Sequence, residues 1–184
     1  MELSVAQEQH IDLIARCRAG DAASFRKLYE LYAKAMYNTS LRILNNISEA
    51  EDILQEAFVD AFKNINLFEN RSSFGSWIKQ IVINKSINQL KKKKIDFVEI
   101  EDPERYAPHQ DDTIDEDEIQ LQVDRVVDAM RQLPDGYRTV LSLYLLEGYD
   151  HEEIAGIMGV AESTARTQYI RGKQKLLKIL YRGA

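Results

Sequence analysis

Apolar residues recur along this chain at spacings of three and four, the period of a helix with one buried side, and no stretch alternates as a half-buried strand would. An all-α chain is expected. The first helix covers about Val5 to Arg18, with Leu13, Ile14 and Cys17 as a sparse apolar side and Gly20 ending it. A second starts after Asp21, runs to about Leu44 and presents Phe25, Leu28, Tyr32, Met36 and Leu41 to a core. Ser48 with Glu51 has the spacing of a capping box for a third helix that reaches Ile65. A loop, Asn66 to Ser72, leads to a fourth from Ser73 to about Lys94. Further helices are expected near 119–132, 135–147, 151–158 and 162–182.

The polar positions between these stripes carry the candidate chemistry. On the third helix Ala50, Ile53, Leu54, Ala57, Phe58, Ala61, Phe62 and Ile65 share one side, and Glu49, Asp52, Glu56 and Asp60 fall opposite. Like charges so spaced cost an isolated helix roughly 0.2–0.5 kcal/mol per pair. Two readings stay open: a solvated polar face, or a docking strip for a basic surface. No histidine joins the strip and no loop gathers the carboxylates, which argues against a metal site. The fourth helix has two apolar stripes, Phe74, Trp77, Ile78 and Ile81, then Ile83, Ile87 and Leu90. Between them lie Gln80, Asn84, Asn88 and Lys91, and the helix ends in Lys91, Lys92, Lys93 and Lys94. Amides can read base edges and lysines neutralise phosphates, though solvation explains the lysines equally well. Phe68, Asn70, Arg71 and Phe74 surround a loop able to hold an unstacked base; for Phe74 and Trp77 a core role is the favoured reading.

The C-terminal stretch is the most distinctive. Asp150 and Glu153 have capping-box spacing, Ile154, Ala155 and Met158 form a short apolar face, and Gly159 allows the left-handed turn that stops the helix. The next helix holds Arg166, Arg171, Lys173, Lys175 and Lys178 against one acid, Glu162. A short helix, a glycine turn and a basic second helix are the parts of a helix-turn-helix. An ordinary helical hairpin with a cationic face is the alternative.

Charge at first opposes a DNA reading, since the 184 residues carry a net −6. The acidity is local. Residues 96–118 hold eleven acids and one base, Arg105, and the remainder holds 23 bases and 19 acids, a surplus of four positive charges. With Pro103 and Pro108 inside it and few apolar residues, 96–118 reads as a flexible acidic linker. Extended at about 3.3–3.6 Å per residue it reaches roughly 75–80 Å, enough to span two turns of duplex. The lone Cys17 permits no intrachain disulfide and suits a reducing compartment. The N-terminus has no basic stretch before an apolar core, and no apolar run approaches the roughly 20 residues of a membrane span, so a cytoplasmic location is expected.

The stretch AEDILQEAF (50–58), preceded by FRKLYELYAKAMY and followed by FGSWIKQIVINKSINQLKKKK, resembles region two of extracytoplasmic-function RNA polymerase sigma factors. Residues 133–176, LPDGYRTVLSLYLLEGYDHEEIAGIMGVAESTARTQYIRGKQKL, resemble their region four. The resemblance implies an alternative sigma factor of three parts: 1–95 as region two, 96–118 as linker, and 119–184 as region four. It implies docking on core RNA polymerase through Asp52, Gln55, Glu56 and Asp60. It assigns minus-ten recognition and opening to the loop 66–73 and the following helix, with Asn70, Arg71, Phe74, Gln80, Asn84, Asn88 and Lys91 as DNA-binding residues. Ser163, Arg166, Thr167, Arg171 and Lys175 would meet the minus-thirty-five element of promoter DNA. The family often has a basic residue where this chain has Gln168. An anti-sigma factor is a further partner the resemblance allows.

No cofactor, metal or catalytic group is expected. HEEIA at 151–155 starts like a zinc-protease helix, but Ala155 stands where the second histidine must be. His10, His109 and His151 are scattered, and no Gly-rich phosphate loop exists. Two rivals remain on residues alone: a dimeric operator-binding regulator, and a helical adaptor that binds only proteins.

Overall fold

Several helix starts in this chain are set by side chains that satisfy the first backbone N–H groups, which have no partner inside the helix. The computed structural model describes residues 5–93 and 116–182, and these are helical, with no strand among them. Four helices come first: α1 (Val5–Arg18), α2 (Ala22–Leu44), α3 (Ile47–Lys63) and α4 (Phe74–Lys92). Asp21 caps α2 through the Ala23 N–H, and Ser73 Oγ accepts the Ser76 N–H at the start of α4. Asn46, not Ser48, caps α3, its Oδ1 accepting the Glu49 N–H at 3.1 Å. The Ser48–Glu51 box expected from spacing is therefore not the start signal. Asn45, in the left-handed conformation at φ 51°, ends α2, so two adjacent asparagines make the whole turn. After α3 a single 3-10 turn, Ile65–Leu67, replaces the end of the longer helix expected there.

Contacts divide the chain into two compact units, Met1–Gln89 and Leu90–Ala184. In the first, Leu28, Met36, Ile43 and Leu44 of α2 are buried with Ala50, Ile53, Leu54, Ala57, Phe58 and Ala61 of α3. Small residues let the helices come close. Ser40 and Ser86 hydroxyls meet at 3.0 Å, and Ser86 also donates to the Val82 carbonyl, so neither buried hydroxyl is left without a bond. Gly75 lies under the Tyr32 ring, where a Cβ would approach a ring carbon to 2.8 Å. Rings fill the rest: Phe25 on Phe62, Tyr29 on Phe58, and Phe74 on Tyr32.

The second unit comprises α5 (Glu116–Arg131), α6 (Asp135–Leu141), a π turn (Ser142–Leu146), α7 (His151–Met158) and α8 (Glu162–Arg182). Its core joins Ala129, Met130 and Leu133 to Tyr137, Leu141 and Leu176. α6 crosses α8 at Gly172, whose added Cβ would stand 3.1 Å from Tyr137 Cβ. Arg138 is almost wholly buried, donating to the Leu133 carbonyl at 2.9 Å and pairing with Asp135. The helix expected over 135–147 runs on past α6 and widens into the π turn over its last residues. The Glu147 N–H reaches back five residues to the Ser142 carbonyl, and Gly148 turns the chain at φ 80°. The expected linker lies outside the described residues except at its end, where 116–118 already belong to α5.

Candidate docking and nucleic-acid surfaces

The carboxylates of α3 are sorted by α4. Lys85 Nζ lies 2.7 Å from Asp60 Oδ2 and 3.1 Å from Glu56 Oε2, and Gln89 Nε2 donates to Glu49 Oε1 at 3.3 Å. The hydrogen bond that Lys85 donates to Asp60 leads the causes that raise the Lys85 pKa, so its ammonium stays charged. Asp52 and Gln55 are exposed on the outward side, and Asp52 has no cationic partner among the described residues. The strip is thus half engaged: Glu56 and Asp60 carry an internal cation, while Asp52 and Gln55 face solvent. Sequence reading missed Lys85. Its signal was a cation set between the apolar positions Ile81, Val82 and Ile87, where an ammonium needs an acceptor.

On α4 the two expected apolar stripes merge through buried Val82 and Ser86 into one face. Gln80, Asn84, Asn88 and Lys91 are all exposed along the opposite side, a continuous polar row. Lys94 lies outside the described residues. The loop before α4 places Asn70 and Arg71 at the surface, Asn70 with φ 57° and Arg71 paired to Glu69 at 2.7 Å. Phe74 takes the core role. It is 3% exposed, packed against Tyr32, Phe68 and Trp77, and so supports the loop from beneath rather than offering a stacking surface. Arg18 of α1 adds a tether by donating to the Phe68 carbonyl, a contact no spacing argument could reveal.

The helix-turn-helix forms as its sequence demands. Asp150 accepts the Glu153 N–H at 2.8 Å, Glu153 accepts the Asp150 N–H at 2.9 Å, and Gly159 closes α7 at φ 70°. α8 buries Ala165, Gln168, Gly172 and Leu176 along one seam. Ser163 and Arg166 are exposed on the other side, with Thr167, Arg171 and Lys175 half-buried along its flanks. Gln168, where the family often has a basic residue, is 2% exposed and faces the interior. Ile170, 56% exposed, instead joins the outward face. Arg166 is held by Glu162 one turn earlier, through bonds of 2.7 and 3.0 Å. The π turn aims Tyr144 onto His151, with ring centroids at 4.7 Å, and onto Tyr169 of α8 at 4.5 Å, bracing the motif. No cluster that could hold a metal ion occurs among the described residues, and none of their helices is long and apolar enough to cross a membrane.

Four helices, then a capped helix-turn-helix on a small core, define an all-helical, two-module class of protein built around a DNA-binding motif. Family models match in the same order: Sigma-70 region 2 over residues 28–95 and Sigma-70, region 4 over 124–176. The chain is 31% identical over 176 residues to the ECF RNA polymerase sigma factor SigW of Bacillus subtilis, covering 91% of this chain and 94% of that one. It is 30% identical over 195 residues to the RNA polymerase sigma-H factor of Pseudomonas aeruginosa, covering 96% of each. Among solved structures, CnrH in complex with the cytosolic domain of CnrY aligns over 95% of this chain and 99% of that one, with TM-score 0.56 at 20% identity. The sigma factor RpoE in complex with the anti-sigma factor NepR from Bartonella quintana aligns over 85% and 96%, with TM-score 0.55 at 23% identity. These last two establish the shared fold. The chain belongs to the extracytoplasmic-function sigma factors of the sigma-70 family.

Proposed function

We propose that this chain binds core RNA polymerase through the outward face of α3 and directs promoter-specific initiation without covalent chemistry of its own. Residues 1–95 act as region two, with Asp52, Gln55, Glu56 and Asp60 at the polymerase. Asn70, Arg71, Gln80, Asn84, Asn88 and Lys91 engage the minus-ten element, and 96–118 serve as linker. Residues 119–184 act as region four, with Ser163, Arg166, Thr167, Arg171 and Lys175 at the minus-thirty-five element. An anti-sigma factor belongs to the same reading as a partner that would compete for these surfaces.

One observation carries the reading: each of two family models, in family order, coincides with a helical module whose exposed side chains suit its role. Charge supports it as well. Phosphate neutralisation dominates affinity for DNA, so a chain of net −6 binds free duplex weakly. Held on polymerase, two weak modules act at high effective concentration and their contacts add.

The test is run-off transcription with added core polymerase over a promoter library. The wild-type chain is expected to select a narrow promoter class. The double variant Asp52→Lys, Glu56→Lys is expected to lose co-purification with core while keeping its helical spectrum. Retained core binding by that variant would count against the docking face.

A further inference from the structure

Lys85 sits on the seam between two surfaces with different tasks. On one side its ammonium is shared by Asp60 and Glu56 of α3. On the other, Asn84 precedes it and Asn88 follows three residues on, both exposed on the polar row of α4. The Lys85 side chain is 23% exposed, against 62% for Glu56 and 47% for Asp60. The two carboxylate side chains are thus more open to an incoming partner than the lysine they hold.

We propose that Lys85 couples polymerase docking to DNA binding: Glu56 and Asp60 hold its ammonium until a basic partner surface takes them, and it then becomes a phosphate contact beside Asn84 and Asn88. The inference rests on the reading of α3 as the docking face. Two carboxylates and one ammonium leave a local charge of about −1, which attracts a second cation. Once that cation arrives, Lys85 is held less strongly and faces like charge. Its flexible four-carbon stem allows the ammonium to swing away. The coupling is reciprocal, so a phosphate that draws Lys85 off the strip strengthens docking by the same factor. The same arrangement keeps one cation from DNA while the chain is alone.

The experiment measures core binding by titration, then promoter binding at saturating core as a function of salt, for wild type, Lys85→Gln and Lys85→Arg. Removing the internal cation is expected to tighten core binding by about three- to fivefold, the scale of exposed ion pairs. It is also expected to weaken the promoter complex and reduce its log–log salt slope by about 0.7–0.9, one phosphate contact. Lys85→Arg is expected to keep the wild-type slope. An unchanged slope in Lys85→Gln, whatever its core affinity, overturns the coupling. So does a parallel fall in both affinities with a lowered melting temperature, which marks a purely structural ion pair. A wild-type chain that fails to bind core removes the docking reading itself, and the coupling with it.

Discussion

Arg166→Ala isolates the reading of α8. In the free chain Arg166 is paired with Glu162, 61% and 46% exposed, at 2.7 Å. An exposed pair four residues apart on a helix contributes about 0.3–0.5 kcal/mol. A bidentate arginine–guanine contact discriminates by about 1–3 kcal/mol. Surrendering the Glu162 pair to make that contact therefore leaves a net gain of about 0.5–2.7 kcal/mol. Arg166→Ala should weaken binding of holoenzyme to its preferred promoter by about 2- to 100-fold and relax sequence preference at one position. Glu162→Gln should move the other way, by about twofold, because the guanidinium no longer has to leave a carboxylate. Promoter binding is measured at fixed salt with core polymerase saturating, and core affinity is measured separately as a control. Unaltered promoter affinity and preference in Arg166→Ala, with normal core binding, would refute the placement of Arg166 in the groove.

Gly172→Val should destabilise the second unit by about 1–3 kcal/mol, since its branched Cβ must fit 3.1 Å from Tyr137 Cβ; a melting curve as steep and as high as wild type would disprove the close crossing. Burial, helped by Asp21, pushes the Cys17 thiol up to about 11 from its ordinary 9.0, so the native chain should resist alkylation at pH 8 and react only on unfolding. Its folded pKa is raised, so this contribution to stability is complete below pH 9 and is lost as pH rises towards 11. Wild type should lose stability relative to Cys17→Ala across that window, and identical pH curves for the two would contradict it.

The periodic segments were legible because local physics sets them. α7 begins at Asp150 and stops at Gly159 because a reciprocal carboxylate cap and a left-handed glycine are both encoded within ten residues. The outward row of Gln80, Asn84, Asn88 and Lys91 followed in the same way from a helical period and the apolar residues on either side. The departures share a cause. Asn46 outcompeted Ser48 as a cap because Asn45 had already turned the chain, and Ser142–Leu146 widened into a π turn where Tyr144 meets His151 and Tyr169.

By itself the sequence determined that the chain is helical, where most helices start and stop, and which residues form polar rows, because caps and apolar periods act over a few residues. Only the tertiary structure decided what each polar position faces. It buried Phe74 beneath its loop and Gln168 in the α8 seam, and it tied Glu56 and Asp60 to a lysine more than twenty positions away. Contacts between helices set burial and ion pairing, and those depend on how the helices cross, which no local spacing encodes.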